Sequence, residues 1–116
     1  MALSKEWEFA GVVGVDSGQL MVTDPCYLKS EWDPNVDLDF GDEAKGRFSY
    51  NGACHATLSK EGFGQLNYKM GHAGAGVAFS SGWGDGVYGV FIRKVDGRNA
   101  EARIVMIEEE TDEDAG

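Results

Sequence analysis

Three aspartates in this sequence stand beside turns that need special backbone geometry. Asp16 precedes a Ser-Gly pair, Asp24 precedes a proline, and Asp85 lies between two glycines. If the three carboxylates converged in space, their oxygens could bind a hard divalent cation or accept hydrogen bonds from a polar ligand. The alternative is that each carboxylate accepts hydrogen bonds from backbone N–H groups of its own turn. The sequence leaves both interpretations open.

The aspartates fall in two stretches, 16–27 and 80–88, that also contain most of the other polar and aromatic groups near turns. Within the second stretch, Trp83 stands between two glycines, so its ring is either a plug over the core or a surface for stacking. Since the stretches are remote along the chain, a common site requires that they become neighbours in the fold. The predicted ligand-binding residues are Asp16, Ser17, Asp24, Cys26, Tyr27, Trp83, Asp85 and Tyr88.

The cysteines and histidines do not form a recognisable catalytic or metal-binding pattern. Cys26 lies near two carboxylates, whose negative charge raises a thiol pKa and opposes activation as a nucleophile. His55 follows Cys54, and neighbours on a strand point to opposite faces. No Cys-x-x-Cys or His-x-x-x-His spacing is present, which argues against a structural zinc site. No catalytic residue is assigned, and no cofactor is expected apart from a divalent cation held by the aspartates.

The segments 15–19, 23–27 and 81–88, followed by the strand and Asp-Gly turn of 90–97, resemble the motif set of the uncharacterised domain-of-unknown-function family 4241. The resemblance covers both ends of the domain and leaves the middle unassigned. It implies a fold and the location of a site, and it implies no reaction. Gly89 departs from the pattern, because similar sequences have a proline after the aromatic residue.

The charge is distributed unevenly along the 116 residues. The formal net charge is −10, and residues 108–114 supply six of the negative charges, so the remainder carries −4. Such a run is typical of a solvated, disordered tail, with an acidic arm for a basic partner or DNA mimicry as the alternative. The ten basic residues are scattered, which argues against direct binding of nucleic acid. We predict one domain over 1–107 and an acidic tail over 108–116.

Targeting signals are not evident in the sequence. No apolar run approaches the roughly 20 residues of a membrane span, and residues 1–9 lack the apolar core of a signal peptide. We therefore predict a cytoplasmic protein without membrane contact. In that compartment Cys26 and Cys54 are expected to be reduced thiols.

The first part of the chain predicts two strands, 7–15 and 19–23, which the turn at 16–18 joins as a β-hairpin. In the first strand, alternation places Phe9 on the same face as Gly11, Val13 and Val15. The segment 29–43 has no clear period, although a short helical turn could lie between 32 and 44. Its expected apolar anchors are Trp32, Val36, Leu38 and Phe40.

The middle of the chain predicts a hairpin with strands over 45–50 and 53–59 around an Asn51-Gly52 turn. The next strand, 64–70, places Leu66, Tyr68 and Met70 inward, and residues 71–76 form a glycine-rich turn. The last predicted strands cover 77–80, 87–95 and 100–107, with a turn at 96–99 between the final two.

These patterns predict an all-β fold, either an antiparallel sandwich or a partly open barrel of about eight short strands. The favoured function is a non-enzymatic ligand- or partner-binding module that uses the 16–27 and 80–88 segments. A small hydrolase with an Asp-held divalent cation or Cys26 is one alternative. A purely structural role, in which the motifs only close the β-structure, is another.

Overall fold

The computed structural model describes residues 6–34 and 42–108. The expected anchors Val36, Leu38 and Phe40 lie outside the described residues, as does most of the acidic tail. Six strands and two α-helices are found within the described ranges, with a 3-10 turn at Asp42–Ala44, inside the stretch 32–44 where the sequence allowed a short helical turn. The elements are β1 (Trp7–Val15), β2 (Gln19–Thr23), α1 (Tyr27–Ser30), α2 (Tyr50–Thr57), β3 (Phe63–Asn67), β4 (Ala73–Ser80), β5 (Gly86–Val95) and β6 (Arg98–Ile104).

The strands form two antiparallel three-stranded sheets. Sheet A has the order β1-β5-β6, and sheet B has the order β2-β4-β3. This arrangement confirms the predicted antiparallel all-β class and fits a sandwich-like layout; the described strands close no barrel. Six strands are present within the described ranges rather than about eight, because one predicted hairpin is a helix.

The predicted hairpin between β1 and β2 is wrong. β1 pairs with β5, with Val15 opposite Gly86, while β2 pairs with β4, with Gln19 opposite Ser80. Between them, Gly18 has a φ of +70°, a left-handed conformation that glycine adopts without steric cost. The turn therefore carries the chain from sheet A into sheet B instead of folding β2 back onto β1.

The hairpin predicted around Asn51-Gly52 is also wrong, because residues Tyr50–Thr57 form α2. Ser49 begins this helix, and its hydroxyl oxygen accepts a hydrogen bond from the backbone N–H of Gly52 at 2.9 Å. A serine cap satisfies an amide that the first helical turn leaves without a partner. Alanine, the strongest helix former, occupies two buried positions of α2, Ala53 and Ala56. The cap and the alanines outweigh the local preference of Asn-Gly for a turn.

The principal core lies between α2 and sheet B. It consists of buried Phe48, Ala53, Ala56, Leu66, Ala75 and Ala78, with partly buried Met21, Tyr27, Trp32 and Tyr68 packed against them. The inward positions predicted for Leu66 and Tyr68 are confirmed. Met70 was also expected inward and is instead exposed, because β3 ends at Asn67 and the chain turns into β4 from Ala73.

A β-bulge changes the faces of β1. The register shifts between Phe9 and Gly11, so that Phe9 lies opposite Phe91 while Val12 lies opposite Gly89. The extra residue moves Phe9 to the face that carries Val12, which overturns its expected place beside Val13 and Val15. We call this face the outer face of sheet A. Its side chains are Trp7, Phe9, Val12, Val87, Phe91, Arg93, Glu101 and Arg103.

Candidate functional site

Two loops remote along the chain meet where β1 and β2 separate. The backbone N–H of Ser81 donates a 3.0 Å hydrogen bond to the carbonyl of Gly18. A Cβ placed on Gly18 would lie 3.9 Å from Oδ1 of Asp85. The strand registers on either side, described above, hold both loops in this relation. We name residues 16–18 and 81–86 the Trp83 tip.

The backbone of the Trp83 tip is tied by hydrogen bonds to one carbonyl. Gly84 O accepts a 2.7 Å bond from the Ser81 hydroxyl and another 2.7 Å bond from the Tyr88 hydroxyl. Ser81 is fully buried and Tyr88 is buried, so both bonds are largely shielded from water. Gly82 and Gly84 have φ values of +65° and +94°, which L side chains rarely adopt. The Tyr88 hydroxyl, predicted to contact a ligand, is thus used inside the protein.

Trp83 projects from this fixed loop with 76% of its surface exposed. The interpretation of its ring as a plug over the core is therefore wrong, and a surface for stacking or docking remains. Asp16, Ser17 and Asp85 are exposed at the same tip. Within the described part of the chain, neither aspartate carboxylate makes a hydrogen bond or an ion pair. Both carboxylates are consequently free to interact with groups on another molecule.

Asp24, Cys26 and Tyr27 lie at the opposite end of β2, away from the Trp83 tip. Five residues of strand separate the two ends, which is roughly 14 Å at 3.4 Å per residue. Asp24 Oδ1 accepts a 3.0 Å hydrogen bond from the Cys26 backbone N–H, so the local turn role considered for Asp24 is confirmed. The predicted site is divided between two places.

The division removes the basis for a cation held by all three aspartates. Over residues 6–34 and 42–108, no three His, Cys, Asp or Glu side chains are grouped so that they could hold a metal ion. Asp16 and Asp85 share the tip, while Asp24 is turned into its own backbone. The three carboxylates, whose convergence the sequence left open, therefore do not meet at one site, although Asp16 and Asp85 both belong to the Trp83 tip.

The chemistry at the Asp24 end does not favour catalysis. Hydrogen bonding to the Asp24 carboxylate, together with desolvation and charge repulsion, raises the pKa of the Cys26 thiol. A raised thiol pKa lowers the thiolate fraction, which is the nucleophilic form. Interaction with the Tyr68 hydroxyl raises the pKa of Tyr27 to about 12, and the two rings pack edge to face at 5.0 Å. Tyr27 therefore packs at the edge of the core beside sheet B.

Two concavities along sheet B and α2, lined by several charged and polar residues, were missed by sequence reasoning. One, of about 520 Å³, lies beside Tyr68, where the Lys69 backbone N–H donates to Glu31 Oε1 at 2.8 Å and Arg47 approaches Asp33 at 3.8 Å. The other, of about 580 Å³, includes His55. Both adjoin Lys45 and Gly46, in the segment 45–50 that the sequence assigned to a strand. The two concavities share the lining residues Lys45, Gly46 and Asn67.

A third concavity, of about 440 Å³, borders the Trp83 tip. It lies between Gly82 and the segment that follows β6, and a Cβ on Gly82 would be 3.0 Å from Cγ1 of Ile107. Its lining is mainly apolar, apart from Ser80 and Arg103. The lining residues are Ser80, Gly82, Arg103, Ile104, Val105, Met106 and Ile107.

Two antiparallel sheets joined at an exposed tip define a small all-β protein. A family model described as "Protein of unknown function (DUF4241)" matches residues 3–107, so the chain belongs to that family. This confirms the resemblance drawn from the paired motifs. A search of the curated proteins and a search of the solved structures each found no match. Among the described residues, no helix has the length and apolarity that crossing a bilayer requires.

Proposed function

We propose that this chain is a non-enzymatic, cytoplasmic protein-binding module that contacts its partner through the Trp83 tip. The observation that carries the proposal is the exposure of Trp83, at 76%, on a loop whose backbone is fixed by internal hydrogen bonds. A large aromatic side chain held in this way loses little conformational entropy on binding.

The composition of the tip supports a protein partner. Tryptophan is among the residues that most often dominate the binding energy of protein interfaces. Asp16 and Asp85 flank it with two carboxylates, which favours a partner surface with an apolar pocket rimmed by basic groups.

The alternatives have less support in the geometry. A hydrolase would need Cys26 or a bound cation; the thiol pKa is raised, and Asp24 lies apart from Asp16 and Asp85, with no metal-binding cluster among residues 6–34 and 42–108. A purely structural role accounts for Ser81, Tyr88 and Asp24, whose hydrogen bonds lie within the protein. It does not account for Trp83, because an exposed indole on a tied loop contributes little to the fold.

The proposal is tested by capturing partners from an extract of the source cells on the immobilised chain and then measuring the affinity of each purified partner. Trp83→Ala should weaken binding by roughly 30-fold or more, the range of interface hot spots. Met70→Ala is the matched control, since Met70 is 91% exposed in the turn between β3 and β4, on the side of sheet B where Tyr68 packs against Tyr27. Its affinity should equal that of the unmodified chain.

Equal affinity of the Trp83→Ala variant for every captured partner would contradict the proposal. A panel of metals, nucleotides and sugars provides a second comparison by thermal unfolding. A stabilising shift that Asp85→Ala abolishes would assign the tip to a small ligand instead of a protein.

A further inference from the structure

The outer face of sheet A leaves three apolar side chains exposed in one row. Phe9, Val12 and Val87 are exposed by 64%, 63% and 68%. The register places Val12 opposite Gly89 and therefore beside Val87 and Phe91 on the same face. Isolated exposed apolar residues are ordinary on protein surfaces, whereas a contiguous apolar patch marks an interaction surface.

Glycine keeps the centre of this face low. A Cβ on Gly89 would lie 3.0 Å from Cε2 of Phe91 and 3.7 Å from Cε1 of Phe9, so both rings lean over the glycine. The rings pack edge to face with centroids 5.7 Å apart. The result is a shallow apolar platform on which a flat partner surface can lie closely.

The two ends of the platform carry opposite charge. Arg103 stands opposite Phe91 and stacks over the Trp7 ring at 4.3 Å, and Arg93 is nearby with Glu101 as its partner. The Trp83 tip, where the carboxylates of Asp16 and Asp85 have no hydrogen-bond or ion-pair partner among residues 6–34 and 42–108, lies at the other end. Six residue steps separate Asp85 from Phe91, so the charges are roughly 20 Å apart. The platform therefore runs from a basic end to an acidic end.

We infer that the outer face of sheet A binds a second copy of this chain about a two-fold axis near Val12 and Gly89. Under that symmetry the basic end of one copy covers the acidic end of the other, twice. The apolar platforms meet at the centre, and Asp85 of each copy approaches Arg103 of its mate. The inference rests on the proposed function, since it names a second copy as a partner of the Trp83 tip.

The size of the face sets the strength of the dimer. Three strands are about 14 Å across and eight residues are about 27 Å long, which gives a footprint of roughly 400 Å² on each copy. With the tips and rims included, the dimer buries on the order of 1,000 Å² in total, at the small end of specific interfaces. The dimer therefore exchanges with monomer and dissociates in the micromolar range.

Sedimentation velocity of the full chain at about 1 to 300 μM tests this inference, and a concentration-dependent shift from monomer to dimer is expected. Val12→Glu should weaken the dimer by roughly 100-fold or more, because two carboxylates would meet in an apolar centre. Val22→Glu is the matched control: Val22 is 58% exposed on a strand of sheet B, and the same substitution there should leave the dimer unchanged. Urea unfolding verifies that each variant is folded.

A charge-exchange experiment tests the orientation independently of the apolar centre. Asp85→Lys alone and Arg103→Glu alone each make both end contacts repulsive, so each variant should dimerise roughly tenfold more weakly. An equimolar mixture of the two variants should recover dimer. In the mixed dimer the introduced lysine would face the introduced glutamate at one end, and the unchanged Asp85 would face the unchanged Arg103 at the other. A local structural effect of either substitution would not be cured by mixing.

The inference would be overturned if the chain stayed monomeric at 300 μM. It would also be overturned if Val22→Glu weakened the dimer while Val12→Glu did not, or if the mixed charge variants failed to associate. The proposed function fails separately. If the purified chain is monomeric while Trp83→Ala still abolishes capture of another protein, only the second copy is rejected. If the dimer forms and Trp83→Ala leaves all capture intact, the dimer stands and the role of Trp83 is rejected.

Discussion

The close approach of α2 to β3 can be tested by moving one methyl group across the interface. A Cβ added to Gly64 would lie 2.9 Å from the Cβ of Ala56, nearer than real Cβ atoms approach one another. Gly64→Ala should cost about 1 kcal/mol, because overpacking of roughly 1–3 kcal/mol is partly offset by the preference of a strand for alanine over glycine. Ala56→Gly should cost about 2 kcal/mol, from about 1 for the helix and about 0.8 for the buried methyl.

The double variant Gly64→Ala/Ala56→Gly should cost only about 1 kcal/mol, since the strand methyl fills the space that the helix methyl vacates. The sum of the single variants is about 3 kcal/mol, so the expected coupling is roughly 2 kcal/mol. Urea unfolding followed by far-ultraviolet circular dichroism measures each free energy of unfolding.

Gly14→Ala with Ala56→Gly provides the matched control pair. Gly14 lies in β1, and a Cβ there meets nothing within 4 Å, so its effect should add to that of Ala56→Gly within about 0.5 kcal/mol. If the Gly64 pair were equally additive, α2 would not contact β3 at this point. The hairpin that the sequence predicted for 45–59 would then have to be reconsidered.

Three further outcomes follow from the hydrogen bonds and pKa shifts. Tyr88→Phe should lower the free energy of unfolding by about 0.5–1.5 kcal/mol, because it removes the hydrogen bond to Gly84 O. It should also increase the mobility of the Trp83 tip. Urea unfolding measures the first effect and tryptophan anisotropy the second, and unchanged values would mean that the bond is absent. Asp24→Asn should lower the pKa of Cys26 and speed its alkylation at pH 8, and an unchanged rate would rule out Asp24 as the cause. Because the pKa of Tyr27 is raised to about 12 in the folded chain, its contribution to stability is complete below pH 10 and is lost as the pH rises to about 12. In unfolding measured at pH 9 and above, Tyr27→Phe should lose less stability with rising pH than the unmodified chain does.

The sequence predicted local features well because the signals for them are local. Alternation gave the bounds of β1 and β2 as the structure has them, and the Asp96-Gly97 turn joins β5 to β6 as expected. The pairing of the strands depends on contacts distant along the chain, which alternation does not specify. For that reason β1 and β2 were expected to pair with each other, while the structure assigns them to different sheets.

The middle of the chain was mispredicted because two local signals conflicted. Asn51-Gly52 favours a tight turn, whereas Ser49 followed by a run with two alanines favours a capped helix. The helix is preferred in the structure since α2 can bury Ala53 and Ala56 against sheet B. The same error concealed the polar concavities beside residues 45–47, since a strand there would have placed their side chains differently.

The single extra residue of the β1 bulge determines which side chains the outer face of sheet A presents. Without the bulge at Ala10, strict alternation would turn Trp7 and Phe9 to the face of Val13 and Val15, and the outer face would lose two of its three aromatic rings. The bulge aligns Phe9 with Phe91 over Gly89, which joins the apolar platform into one surface. The turn at 16–18 then places the acidic tip at one end of that platform, because it directs β2 into the other sheet. A bulge and one sheet-changing turn, neither of which leaves a periodic signal in the sequence, therefore create the surface on which both proposals depend.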